Sequence, residues 1–225
     1  KQKTAYEIST RDWSSDVCSS DLGWVMKAWA WCLACGAVAA ALGALLAGCG
    51  ATRAGYETAA HKVVLTEGSF ELRDYPETRM VKTRMPSGRD TGFMRLFRFI
   101  SGDNARKEKI AMTTPVLMER GPAGADDSMA FVLPKDMPDV PAPAASDVTL
   151  ASMQGGRFAV HRFHAARPDP EMETKAEEAL RDWMRGRQLA SAGQPLFAYF
   201  DPPWIPRWFR RNEVMLRVEG QPARP

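Results

Sequence analysis

Met94, Phe97 and Arg98 stand within five residues of one another in the segment 90–118, DTGFMRLFRFISGDNARKEKIAMTTPVLM. The segment reads as a short amphipathic helix, a basic loop and an apolar strand. Phe93, Leu96, Phe97 and Ile100 recur at helical spacing, which predicts a stripe facing the core. Met94 and Arg98, one turn apart, lie beside it. An apolar face edged by a guanidinium suits a flat, apolar, anionic molecule, because the planar fork of arginine matches a carboxylate. The same pattern also suits an ordinary helix with its stripe in the core and its arginine in water. Asp90 is a plausible N-cap and Ser101-Gly102 a stop signal.

Other chemistry is thin. His61 precedes the first expected strand. His161 and His164 lie three apart on one expected strand, so their side chains should leave opposite faces. None of the three falls in the helix or near the aromatic run 202–211. Gly155-Gly156 lacks the strand–GxGxxG–helix context of a nucleotide loop and reads as a turn. Glu108 and Glu119 have no evident partner. Nothing resembles a catalytic triad, a metal cluster or a phosphate loop, so the chain is not expected to be an enzyme.

Composition bounds the class. The chain has 225 residues, is 45% apolar and 25% charged, and carries a formal charge of +3. That size suits one sizeable domain or two small ones. Interspersed charges of both signs argue against a nucleic-acid binder, which needs a concentrated basic face. Cys18, Cys32, Cys35 and Cys49 all precede residue 50. Whatever folds beyond them depends on its core, not on disulfides.

Residues 1–25 contain no methionine, and the run 9–22 (STRDWSSDVCSSDL) resembles translated adapter carry-over. The other reading is a polar extension. Either way this stretch is set aside from the fold. From Met26 the pattern changes to Lys27, an Ala/Leu-rich run over 28–45, and then Leu46-Ala47-Gly48-Cys49. This resembles a bacterial lipoprotein signal over 26–48, with Cys49 as the lipidated residue. It implies a mature chain held at the cell envelope by two or three acyl chains. Gly50 favours the outer membrane, facing the periplasm. A transmembrane helix, or a signal cut elsewhere, is the competing reading. The CxxC spacing of Cys32 and Cys35 lies inside the apolar run and reads as signal filler. A tether follows, over 49–60.

Beyond it, period-two alternation and turn residues predict strands at 62–66, 70–75, 80–85, 110–118 and 129–133, with the helix 90–101 among them. Pro115 should mark an edge or a bulge. A proline-rich connector, 134–147, then divides the chain. The second half predicts strands at 148–153, 157–164, 195–201 and 213–218. Its helix starts at Asp169-Pro170 and has a stripe of Met172, Ala176, Ala179, Leu180 and Trp183. Strands, helix, strand, strand thus occurs twice. Two such units should join into a mostly antiparallel sheet or barrel with both helices outside.

Five segments, FELRDYP (70–76), GFMRLFRFISG (92–102), KIAMTTPV (109–116), MAFVLP (129–134) and DPPWIPRWFRRNEV (201–214), resemble the SOUL heme-binding protein family. The resemblance covers about residues 56–219 and places the domain at 61–220. It implies an α+β fold: a distorted antiparallel eight-stranded β-barrel of two pseudo-repeats, flanked by two helices. It implies heme or another tetrapyrrole in a shallow apolar groove between the first helix and a late loop. By position in the motifs, Met94, Phe97, Arg98, Trp204 and Arg207 are the expected cofactor contacts. Trp208, Phe209, Arg210 and Arg211 lie in the same loop. The loop also suits a rigid corner, or contact with lipid headgroups. The axial iron ligand is left open, with Met94 as candidate. The reading is a non-catalytic heme carrier or buffer. Its rivals are a protein-interaction or structural lipoprotein without heme, and a hydrophobic small-molecule binder or hydrolase, which would need a buried carboxylate facing the groove.

Overall fold

The computed structural model describes residues 55–86, 89–121, 127–165, 169–202 and 204–220. Residues 51–225 form one compact unit. The four cysteines, among them Cys49, where lipidation was expected, and the expected leader lie outside the described residues.

The described strands and helices are, in order, β1 (Glu57–Thr58), β2 (Lys62–Glu67), β3 (Phe70–Tyr75), β4 (Thr78–Arg84), α1 (Arg89–Ile100), β5 (Thr113–Thr114), β6 (Val116–Glu119), β7 (Ser128–Val132), β8 (Val148–Met153), β9 (Gly156–Phe163), α2 (Pro170–Gly186), β10 (Ser191–Tyr199) and β11 (Asn212–Val218). Nine strands make one sheet in the order β2-β3-β9-β11-β10-β6-β7-β4-β8, every neighbouring pair antiparallel. β1 and β5 form a separate parallel pair. The class is α+β, as expected, but the sheet is open and has nine strands, not eight closed into a barrel. β2 and β8 end the order, and both carry exposed apolar side chains (Val63, Val64 and Leu150). Glu57 and Thr58, within the expected tether, form β1. The expected strand 110–118 is divided at Pro115, which has no N–H to donate to a ladder.

Alternation along the strands gives the sheet two cores. Val214, Leu216 and Val218 of β11 face one, while Met215 between them faces the other. Both helices cover the first. Leu96, Phe99 and Ile100 of α1 join Phe131, Phe197 and Val214 there, with Leu180 and Met184 of α2. Each such fully buried side chain contributes about 1.5–3 kcal/mol. The second core holds Tyr75, Leu117, Val132, Phe158, Val160 and Met215.

The stripe expected on α1 is corrected in one respect. Leu96 and Ile100 are buried and Phe93 partly so, but Phe97 is exposed and Phe99 takes its place in the core. The reason is contact at Gly92. A Cβ there would come within 2.7 Å of the Met85 side chain, so this face of the helix lies against β4. That orientation puts 92, 96 and 99 inward. The helix begins one residue before Asp90, whose side chain lies outside the described ones. Its end is as expected: Asp103 N–H donates to Arg98 O at 2.9 Å, and Gly102 has φ 115°.

α2 starts as its sequence dictates, Asp169 accepting from the N–H groups of Glu171 and Met172, with proline following. Its buried residues are Glu173, Ala176, Leu180 and Met184. The connector 134–147 is tied down, not free: Arg79 donates to Pro138 O, Arg106 pairs with Asp139, and Ala105 N–H donates to Ala142 O.

Candidate ligand-binding site

The strand register places the stem of the expected loop wall at one end of the sheet. Asn212 pairs with Tyr199, Tyr199 with Val116, Val116 with Phe131, and Phe131 with Val81. The loop 200–211 leaves and returns at that row. Helix α1 runs back along β4 from Gly92, which abuts Met85 and Thr83. Ile110 N–H on Ile100 O, and Thr113 Oγ1 on Val132 O, confirm where the helix stops.

On α1, Met94, Phe97 and Arg98 share the outward face. Met94 is 47% exposed and Phe97 42%, while the other large apolar side chains on this helix are buried or, for Phe93, partly buried. Phe97 stacks on Phe93 with centroids 6.0 Å apart, and Phe93 meets Phe131 of the core edge-on at 5.2 Å. The patch is thus rooted in the core while its tip is wet. Arg98 is exposed in the last turn, where a cation suits the helix dipole. Among the described residues no side chain pairs with it.

On the loop, Trp204 is 71% exposed and Trp208 65%. Arg207 opens the short 3₁₀ turn Arg207–Phe209; its side chain lies outside the described ones. The remaining loop arginines are braces, not free cations. Arg210 Nε donates to Ile205 O at 2.7 Å, and Ile205 is buried. Arg211 lies over the Phe200 ring at 4.2 Å and donates from Nε to Glu213 Oε1 at 2.8 Å.

That pairing belongs to a buried ionic cluster the sequence did not announce. On the helix-free face, Arg73 donates to both oxygens of Glu213, at 2.6 and 3.0 Å, and to Glu71 at 2.7 Å. Both Arg73 and Glu213 are almost wholly inaccessible. Burial alone would raise the Glu213 carboxyl, but Arg73, with Arg211, holds it below its ordinary value. Burial opposes the Arg73 charge, yet Glu213 and Glu71 raise its pKa well above the usual guanidinium range. A second buried carboxylate, Glu173 of α2, takes Arg120 at 2.9 Å and the Tyr199 hydroxyl at 2.5 Å. Asp74, held by Arg157 at 2.7 Å, makes three buried carboxylates among the described residues, but a carboxylate saturated by guanidinium donors is a poor proton acceptor. Glu108 and Glu119 do have partners, Arg106 and Lys82.

The histidines separate by environment. His61 lies against Tyr75, with ring centroids 5.0 Å apart, and burial pushes its pKa down. His161 stacks on Phe70 at 4.3 Å with a buried Nδ1, and burial lowers its pKa too, against a backbone contact with Ser69 that raises it. His164 follows β9 and meets the late loop, its Nδ1 2.8 Å from Arg210 O. The sequence did not place any histidine near that loop; the pairing of Phe163 with Asn212 does. Among the described residues no three His, Cys, Asp or Glu side chains converge on a metal site. A hollow of about 450 Å³ lies elsewhere, along α2 and the start of β10, lined by Glu178, Arg181, Asp182, Arg185 and Ser191 among others. Arg181 and Arg185 are paired within the helix, to Glu177 and Asp182, so this surface offers an apolar disc little.

A family model described as SOUL heme-binding protein matches residues 56–217. No curated protein matches the chain. The fold is similar to EcmrR in a DNA complex, at TM-score 0.51 and 10% identity, covering 67% of this chain and 57% of that one. It is also similar to the C-terminal domain of EcmrR, at 0.50 and 11%, covering 67% and 96%. A hydrolase from Listeria innocua scores 0.49 at 11% identity, covering 69% and 94%. At these identities the likeness is one of fold alone, and the chain spans little over half of the EcmrR chain in the DNA complex.

Proposed function

The chain belongs to the SOUL heme-binding protein family, and from that premise we propose that it binds heme or a similar tetrapyrrole, non-catalytically, at the end of the sheet shared by α1 and the loop 200–211. One observation carries the reading. Large apolar side chains stay exposed, Met94 and Phe97 on the helix and Trp204 and Trp208 on the loop, and Arg98 on the helix has no side-chain partner among the described residues. An apolar disc with two carboxylates needs such a surface. Met94, Phe97 and Trp204 would cover its faces, and Arg98, with Arg207, would meet its carboxylates. Bound heme would supply an iron centre; the chain would supply orientation, exclusion of water and charge balance.

The wider reading is a carrier or buffer in the bacterial envelope. It is anchored through Cys49, with the domain in the periplasm and the lipid in the outer membrane. The support is the sequence run that ends at Cys49. The two-halves reading of the fold is kept as a proposal, supported by like pairings: β4 and β6 flank β7, as β9 and β10 flank β11.

The test is a hemin titration followed at the Soret band. The expected result is saturation at a single equivalent, weakened by Arg98→Ala and by Trp204→Ala. Non-saturating uptake, indifferent to both changes, would shift the assignment to a protein-interaction role. Separately, Cys49→Ala should abolish lipid labelling and leave unprocessed precursor.

A further inference from the structure

We infer that Trp208 sits in the lipid–water interface of a phospholipid bilayer when Cys49 carries its acyl chains, an inference that rests on the anchoring reading above. The chain that leads from Cys49 enters the domain at the end of the sheet from which the loop 200–211 departs. β10 ends at Tyr199, opposite Val116, so the loop leaves there. Val116 pairs with Phe131, and Thr113 Oγ1 of β5 donates to Val132 O, one residue further along β7. β5 therefore lies at the same end. β1 pairs with it, Glu57 with Thr113 and Thr58 with Thr114, and Ala59 N–H donates to Thr114 O at 2.9 Å. Tyr56 thus comes in where the loop goes out.

The exposed side chains on these two segments are of one kind. Tyr56 is 42% exposed, Trp204 71% and Trp208 65%, and among the described residues no other tyrosine or tryptophan is exposed. Phenol and indole rings have an apolar body and one polar atom. They settle where hydrocarbon lies on one side and water on the other. The turn that carries Trp208 is fixed on both sides. Ile205 is buried, Arg210 Nε donates to its carbonyl at 2.7 Å, and Phe209 N–H donates to Pro206 O at 2.9 Å. Phe200 N–H closes the stem on Arg211 O at 3.3 Å. The tetrapyrrole reading gives Trp204 a contact and leaves Trp208 without one. Reach agrees with the assignment. Glu57 is eight residues from Cys49. An extended chain spans at most about 3.6 Å per residue, so an anchor at Cys49 would hold β1 within about 30 Å of the bilayer.

The experiment uses the full chain, expressed in a bacterium and reconstituted into vesicles of phosphatidylethanolamine and phosphatidylglycerol with acyl chains brominated near the headgroup. Bromine quenches tryptophan fluorescence only at short range. Wild type, Trp208→Phe, Trp204→Phe and Trp183→Phe are compared; Trp183 is partly buried against Phe70 and serves as the reference. The expected result is quenching in the wild type and in Trp183→Phe, and loss of most of it in Trp208→Phe. Equal quenching in wild type and Trp208→Phe, on chains that carry lipid at Cys49 and float with the vesicles, would overturn the placement of Trp208 and leave the anchor standing. Chains that carry no lipid and stay out of the vesicle fraction would overturn both. Quenching kept in Trp208→Phe and lost in Trp204→Phe or Trp183→Phe would also overturn the placement.

Discussion

Two regions of this protein gather arginines and aromatic rings, and they are treated in opposite ways. On the helix-free face, Arg73, Arg211, Glu213, Glu71, Tyr75 and Phe200 are buried or half-buried and mutually satisfied. On α1 and on the late loop, Phe97, Met94, Arg98, Trp204 and Trp208 are exposed, with no charge partner for Arg98 among the described residues. Composition does not distinguish the two. Saturation does. A buried guanidinium must find carboxylates or unfold the chain, so the first region answers to stability. Exposed apolar side chains stabilise little by themselves, so the second set is the one proposed for a ligand.

The comparison breaks most visibly at the buried pair. Arg73→Ala or Glu213→Ala should cost about 3–5 kcal/mol, read as a large drop in the urea midpoint, because each leaves an uncompensated buried charge. Replacing both by apolar residues of like volume should cost less than either single change. An unmoved midpoint in the single variants would end the distinction. The next effect is at Glu173: Glu173→Gln should lose about 1–3 kcal/mol, since Arg120 and Tyr199 then face a neutral group.

At the exposed end the signs reverse. Phe97→Ala, Arg98→Ala and Trp204→Ala should each change stability by less than about 0.5 kcal/mol. Each should weaken hemin binding about tenfold, or ~1.4 kcal/mol. A variant that loses stability and affinity together would mean that the patch is a piece of the fold.

The smallest effect is in pH. Burial pushes His61 and His161 below their ordinary value of 6.5. Their neutral forms are therefore favoured in the folded chain. The stability they contribute is present above pH 6.5 and is lost as pH falls through their folded values. Burial of Glu213 is overridden by Arg73, which holds it below its ordinary value of 4.5. Its contribution is present above pH 4.5 and lost as pH falls further. Melting temperature should thus decline in two stages on acidification, with His161→Phe flattening the first and Glu213→Gln the second. A flat profile between pH 7 and 5 in the wild type would count against the buried environment of both histidines.

Much of the architecture was legible because it is local. Asp169-Pro170 starts a helix wherever it falls, since an N-cap acceptor and a residue without N–H suit a helix entry. Ser101-Gly102 ends one because glycine tolerates positive φ. Period-two runs such as 70–75 and 213–218 became β3 and β11. What went astray depended on neighbours. Phe97 and Phe99 are equally apolar, and only the contact between Gly92 and Met85 decides which turns inward. Strand count and closure depend on which edges meet, and no residue of β2 or β8 records that they do not.

The chain's own order of residues determined its helix limits, most of its strands, its family motifs and the short list from which a ligand surface could be drawn. Those follow from backbone preference and periodicity over a few residues. Only the tertiary structure decided that Arg211 turns inward to Glu213 while the loop tryptophans stay in water, and that His164 joins the loop. Both depend on the register of β9 against β11, which brings together residues 46 apart and more. Satisfying buried charge and backbone groups is a global condition, and it selected partners that no local pattern encodes.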